Sequence, residues 1–280
     1  SRFGLSLTLG GGEVRMIDMA EAYGSIANLG VRIPLKSVLK VTDYKGKLYE
    51  ETQCTPPNST YLTQPDAEVG FSQNCNAQRV IMPQPAYLTT HILRDQQARS
   101  PTFGGGLNIS GHPDVAVKTG TTNDLRDNWT IGFSHTRLVA IWVGNNDNTP
   151  MGRLVTGITG AAPIWKNIMT QALRNQTRIE LPPPEGIIGT QVCSLTGSLP
   201  EDNCPTTFDL FPADNLPTQA LGLSRDWPID KTTQGPARPD TPPEQIEMQK
   251  RNVSFDVLGD PICIDCPYNL QSTTIKYPPQ

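Results

Sequence analysis

Proline divides this chain before any other feature is considered. Of 26 prolines, ten lie in residues 1–180 and sixteen in 181–280, and the change is abrupt at Leu181-Pro182-Pro183-Pro184-Glu185. A proline offers no N–H to a strand ladder, and its ring blocks a helix interior. The second stretch therefore cannot be a regular helical or sheet domain throughout. The expectation is a packed domain over residues 1–180 and an irregular, proline-rich, cysteine-containing extension with short strands over 181–280.

Within the first stretch the hydrophobic pattern sets the elements. Glu13 to Leu29 repeats Met16, Ala20, Tyr23 and Ala27 at helical spacing, and Gly30 follows where a left-handed cap is wanted. Leu35 to Glu51 reads as a hairpin around Asp43-Tyr44-Lys45-Gly46. Residues 54–85 are polar and proline-dotted, an insertion loop bounded by Cys54 and Cys75. Residues 86–99 suggest a second helix. Asp114 to Gly120, Asn128 to Ser134 and Leu138 to Gly144 read as three short strands of an antiparallel meander. Ala161 to Arg174 closes the domain as a helix with Ile164, Trp165, Ile168, Met169 and Leu173 in one stripe. Helices on an antiparallel sheet make an α+β arrangement, with Trp129, Trp142 and Trp165 expected in its core.

Composition removes several function classes. A hydrophobic content of 36% against 18% charged residues is that of a chain able to build a core. The net charge of -4 and the lack of a basic cluster with interleaved aromatics argue against nucleic acid. No apolar run reaches the roughly 18 residues of a membrane span. Ser1 to Gly12 lack the charged start and apolar centre of a signal peptide, and no initiator methionine is present, so targeting information is expected upstream. Cys54, Cys75, Cys193, Cys204, Cys263 and Cys266 form three sequence-local couples, as disulfides in an oxidising compartment would. Cys263-Ile264-Asp265-Cys266 also has the spacing of redox or zinc motifs. A zinc ribbon needs a second such pair, so no metal and no cofactor are expected.

The segment that carries chemistry is Val117-Lys118-Thr119-Gly120-Thr121, followed by a polar turn and then Asp127-Asn128-Trp129. A peptide ending in a carboxylate needs a fixed positive charge, which Lys118 supplies, and hydroxyl donors, which Thr119 and Thr121 offer. Gly120 has no side chain, so a substrate backbone can approach the strand edge and pair with it. The amide of Thr121 can point at a developing oxyanion. Thr122 and Asn123 are further candidates, and Asp124 and Asp127 are expected to hold the loop.

Lys118-Thr119-Gly120-Thr121 resembles the third motif of penicillin-binding proteins and serine β-lactamases. Leu5 to Val14 with Met19-Ala20-Glu21-Ala22-Tyr23 resembles the segment after the Ser-x-Asn motif of class A penicillin-binding proteins. Asn128 to Phe133, Trp142 to Asn146 and Gly160 to Trp165 resemble that family's closing strands and last helix, and Val192 to Gly197 through Cys204-Pro205 its C-terminal extension. One departure is Trp129-Thr130, where the family more often has Trp-Phe. The resemblance covers roughly residues 1–215. It implies a partial penicillin-binding, serine β-lactamase-like transpeptidase fold. It also implies a cell-wall D,D-transpeptidase: a serine attacks the D-Ala-D-Ala carbonyl, and an amine of a neighbouring stem peptide resolves the acyl-enzyme. β-Lactams acylate the same serine. The implied parent carries an N-terminal membrane helix and a peptidoglycan glycosyltransferase domain and works on the extracytoplasmic face of the bacterial inner membrane. Its implied partners are stem peptides, β-lactams, the rest of its own polypeptide and other cell-wall synthesis proteins.

The nucleophile is the missing part. Such sites need Ser-x-x-Lys at a helix N-terminus. Ser37-Val38-Leu39-Lys40 and Ser72-Gln73-Asn74 precede Lys118 in the right order. Yet Ser37 to Lys40 is β-type sequence, in which the two side chains face opposite sides. The expectation is a decoy, a chain that is part of a longer protein, and no acyl-enzyme from this chain alone. His112, six residues before Lys118, is read as a loop residue, His135 as a turn residue, and His91 completes the three histidines. Asn145, Asn146 and Asp147 read as a polar turn, since their spacing does not match a calcium loop. Competing functions are a non-catalytic peptidoglycan- or protein-binding module of the same fold and a purely structural, disulfide-stapled envelope domain.

Overall fold

The computed structural model describes residues 4, 12–52, 63, 75–122, 125–152, 158–202, 204–255 and 261–267. The chain divides into two compact units, Ser1–Glu185 and Gly186–Gln280. The first runs α1 (Met16–Ala27), β1 (Val31–Arg32), β2 (Lys40–Thr42), β3 (Leu48–Glu51), β4 (Gln78–Arg79), α2 (Pro83–Arg94), α3 (Gln96–Phe103), β5 (Ala116–Thr121), β6 (Asp127–Phe133), β7 (Leu138–Gly144) and α4 (Ala161–Leu173).

The antiparallel sheet β5-β6-β7 is the frame. Val117 lies opposite Gly132, and Gly132 opposite Val139. Because side chains alternate between faces, Val117, Val139 and Ile141 share one face, where they pack with Trp165, Met169 and Leu173 of α4. Phe133 points to the other face, and Tyr23 of α1 meets it edge-on at 6.3 Å. The two helices thus cover opposite faces, which is the α+β layering expected from the sequence. Trp165 is fully buried because β6 has no side chain beneath it: a Cβ on Gly132 would stand 2.3 Å from Cζ2 of the indole.

Several local features differ from the sequence expectation. Trp129 and Trp142 are half-buried, and only Trp165 of the three is core. The helix expected over 86–99 is two helices that meet at Asp95, whose carboxylate accepts the N–H groups of Gln97 and Ala98 at 2.9 Å. An aspartate that caps a new helix ends the old one. The first of these helices begins at Pro83, inside the polar 54–85 segment, with Pro83 and Pro85 in its first turn, where a missing N–H costs nothing. Of the rest of that segment, only Thr63 and residues 75–82, which include Cys75 and β4, are among the described residues. α1 ends with Leu29 and Gly30 both at positive φ, and a Cβ on Gly30 would stand 1.9 Å from the carbonyl oxygen of Ile81.

The second unit contains β8 (Ile187–Cys193), β9 (Thr206–Pro212), β10 (Ser224–Asp230), β11 (Ile246–Phe255) and β12 (Pro261–Cys263). β8 and β9 form a hairpin, and β10-β11-β12 a second sheet. Pro228 fits within β10 because that strand is at the sheet's edge, opposite Met248. A small core of Trp227, Ile229, Val253 and the disulfide-bonded pair Cys263–Cys266 lies under this sheet. Cys193–Cys204 closes the hairpin region with Cα atoms 5.5 Å apart. Cys75 is also disulfide-bonded, and Cys54 lies outside the described residues.

Candidate functional site

The motif strand passes from core to surface within six residues. In β5, Ala116 and Val117 are 0% and 3% exposed, whereas Lys118, Gly120 and Thr121 are exposed and Thr119 is half-buried. β5 stands at the end of the sheet order, so among the described residues its ladder is made with β6 alone. An edge strand with an exposed polar half is a template for adding an extended peptide. The Lys118 ammonium donates to the carbonyl oxygen of Thr119. Gly120 faces Trp129 across the ladder, and a Cβ built on it would be in ordinary contact, 3.7 Å from the Trp129 Cβ. The fold itself therefore leaves room for a side chain at position 120.

The turn after the strand is closed by side chains. Thr122 donates its N–H to the carbonyl of Asp127 at 3.0 Å and its hydroxyl accepts the Asp127 N–H at 2.8 Å. The Asp127 carboxylate takes the Trp142 Nε1–H at 2.9 Å on one oxygen and the Thr122 hydroxyl at 3.2 Å on the other. Thr122, a candidate contact for substrate, is thus engaged in holding the turn. Asn123 and Asp124 lie outside the described residues. Asn128 is fully buried and joins β6 to both neighbours. Its Nδ2 donates to Thr121 Oγ1 at 3.3 Å, and its Oδ1 accepts the N–H of Ala161, the first residue of α4, at 2.7 Å. Sequence reasoning gave Asn128 no role. The available signal was an amide side chain on the same strand face as Thr130 and Gly132, the face that packs on α4.

The other candidates are placed elsewhere. Ser37 is at a bend and Lys40 begins β2, where it pairs with Glu51 at 3.3 Å. Neither is on a helix, so the pair lacks the one-turn geometry that Ser-x-x-Lys chemistry needs; Ser72-Gln73-Asn74 is outside the described residues. His112 Nδ1 stands 3.6 Å from the buried Asp114 carboxylate, before the start of β5. His135 is in the β6–β7 turn and lines a small cavity with Tyr87, Arg94, Asp114 and Glu180, at the opposite end of β6 from the motif. Burial lowers its imidazole below the usual range, against a backbone hydrogen bond to Ala27 that raises it. Asp147 accepts the Thr149 N–H and hydroxyl, which hold its carboxyl low and close the turn as a hydrogen-bonded loop. Among the described residues Cys263, Asp265 and Cys266 are grouped closely enough to suggest metal ligands, but the two sulfurs are bonded to each other and are not thiolates.

No family model matches the chain. Penicillin-binding protein 1A of Neisseria meningitidis is 32% identical over 186 residues, 66% of this chain and 21% of that protein. The protein of that name from Clostridium tetani is 29% identical over 205 residues, 72% of this chain and 23% of that protein. Among solved structures, penicillin-binding protein 1A from Haemophilus influenzae superposes with a TM-score of 0.63 at 25% identity, covering 76% of this chain and 34% of that chain. The chain spans about a fifth of the length of the curated relatives it matches.

Proposed function

The chain is homologous to the penicillin-binding proteins over two thirds of its length, and from that premise we propose that β5 is the strand on which a D,D-transpeptidase holds the carboxylate end of a peptidoglycan stem peptide. Lys118 supplies the charge that attracts the terminal carboxylate. The hydroxyls of Thr119 and Thr121 give it directed hydrogen bonds. The peptide backbone pairs along the exposed half of β5 past Gly120, and the Thr121 N–H faces the oxygen that becomes negative when the D-Ala-D-Ala carbonyl is attacked. β-Lactams, with a carboxylate in the corresponding place, occupy the same strand. The attacking serine comes from a helical Ser-x-x-Lys in another part of the longer parent protein, since the one Ser-x-x-Lys of this sequence, Ser37 to Lys40, is not on a helix. Disulfides at Cys193–Cys204 and Cys263–Cys266 suit work on the extracytoplasmic side of a membrane.

The observation that carries this reading is the placement of Lys118, Thr119, Gly120 and Thr121 on the exposed half of an edge strand. Fluorescence anisotropy with a labelled peptide ending in D-Ala-D-Ala tests it. Lys118→Ala is expected to weaken binding by about tenfold or more, the value of one charged hydrogen bond. Equal binding by wild type and variant would leave a structural, disulfide-stapled module instead. A penicillin adduct on Ser37, detected by intact mass, would overturn the assignment of the nucleophile.

A further inference from the structure

Backbone hydrogen bonds alternate in direction along an antiparallel strand, one residue turning its N–H and C=O to one side and the next residue to the other. Two bonds fix the phase for β5. The Thr122 N–H donates to the Asp127 carbonyl at 3.0 Å, at one end of the β5–β6 pairing, and the Ser134 N–H to the Arg137 carbonyl at 2.8 Å, at the turn between β6 and β7. Combined with the register of both pairings, they turn the N–H and C=O of Lys118 and Gly120 toward β6, opposite Ile131 and Trp129, and those of Thr119 away from it. The β5–β6 register runs without a shift, so no bulge blunts this edge, and such an edge is open to extended chains. At Thr119 the outward acceptor is taken by the strand's own side chain: the Lys118 ammonium donates to the Thr119 carbonyl oxygen. The lysine therefore occupies the acceptor that a pairing peptide needs.

We infer that Lys118 is a gate on the edge of β5: in the empty strand it caps the Thr119 carbonyl, and a terminal carboxylate draws it off, opening that carbonyl to an N–H of the same peptide. The inference rests on the reading of β5 as a carboxylate-binding strand and deepens it, because recognition of the chain end becomes a condition for pairing of the backbone. Both steps of the exchange are favourable. An ammonium gains more from a carboxylate than from a neutral carbonyl, and the vacated oxygen receives a peptide N–H in place of the lysine. A neutral chain end has nothing with which to draw the lysine away, so such a peptide must displace it at the loss of one hydrogen bond. Lys118 thus acts in opposite directions on two ligands that differ in one terminal group: it favours the acid and opposes the amide. The same cap hinders extended segments without a carboxylate end from pairing with the exposed edge.

The test measures binding of a labelled peptide ending in D-Ala-D-Ala, once as the free acid and once as its C-terminal amide, to wild type and to Lys118→Met, which keeps a long side chain without the charge. Lys118 is exposed, so the thermal midpoint of the variant should stay near wild type. The acid is expected to bind about tenfold or more weaker in the variant. The amide is expected to bind about twofold to tenfold tighter, the value of the one hydrogen bond that no longer has to be displaced. Attraction of charge alone predicts no gain for the amide. Lys118→Ala should show the same inversion, which separates loss of the cap from any contact made by the methionine. If the acid loses affinity while the amide binds both variants no better than wild type, the gate is overturned and the carboxylate-strand reading stands. If the acid binds variants and wild type equally, that reading fails and the inference with it.

Discussion

Gly132→Ala should damage this fold more than a single methyl group ordinarily does. The new carbon would lie 2.3 Å from Cζ2 and 2.8 Å from Cε2 of Trp165, and 2.8 Å from the carbonyl oxygen of Ala116. Carbon atoms rest at about 3.5–4.0 Å, so the indole must retreat by roughly 1 Å. Trp165 has 0% exposure and packs with Met169, Leu173 and Val117, so it has nowhere to go without moving them. Overpacking of this kind costs about 1–3 kcal/mol. The upper half of that range is expected, since the third clash is with the backbone of β5, which yields only by bending the ladder that carries Lys118. For a unit of this size about 2 kcal/mol corresponds to a fall of roughly 4–8 °C in melting temperature. Thermal and urea unfolding followed by tryptophan fluorescence measure it. The cause is isolated by repeating the substitution in a Trp165→Leu background, itself destabilised by a few kcal/mol, about what a large core deletion costs. There Gly132→Ala should cost about 1 kcal/mol or less, a coupling of about 1–2 kcal/mol. Additive costs, or a neutral Gly132→Ala in wild type, would refute the account of why β6 has a glycine under the indole.

Gly120→Ala is the opposite case: its Cβ would meet only the Trp129 Cβ at 3.7 Å, so stability should change by less than about 0.5 kcal/mol while peptide affinity falls. A stability loss well above that would assign this glycine to the fold. Trp142→Phe removes the Nε1–H that Asp127 accepts at 2.9 Å and should cost about 1–2 kcal/mol in urea unfolding; an unchanged midpoint would show that this bond does not hold the turn. His135, whose imidazole burial holds below its ordinary range, binds a proton more readily in the unfolded chain. Its contribution to stability is therefore present above the unfolded value and is lost as pH falls from there towards the folded one. His135→Gln should show a smaller drop in melting temperature between pH 8 and pH 5.5 (both about, spanning the usual imidazole range) than wild type, and an equal drop would refute the assignment. Replacing both Cys193 and Cys204 by alanine opens a link across 11 residues, and replacing Cys263 and Cys266 one across 3. Chain entropy predicts losses of about 3 and about 2 kcal/mol respectively, and calorimetry showing the reverse order would point to contacts rather than entropy.

Much of this protein is written in consecutive residues. The two-residue alternation of β6, the apolar run of β7, the apolar stripe of α4, the change in proline density near residue 181 and the Lys118–Thr121 motif are local signals, legible because they lie in consecutive residues. The break at Asp95 was also local, an N-cap within an apolar stretch, and was legible in principle. Other features depend on residues distant in sequence. Which tryptophan becomes core was decided by Gly132 opposing Trp165, and the alternation of strand residues cannot say which face a helix will cover. That the Asp127 carboxylate engaging Thr122 is itself held by Trp142 follows from a 15-residue separation closed by the β6–β7 pairing. The edge position of β5 is a property of the whole sheet, and Asn128 reaches Ala161 across 33 residues. Sequence alone thus determined which chemical groups stand on the strand. Only the tertiary structure decided which of them face outward and which way their hydrogen bonds run, because exposure and bond direction are set by partners that the chain brings together only when it folds.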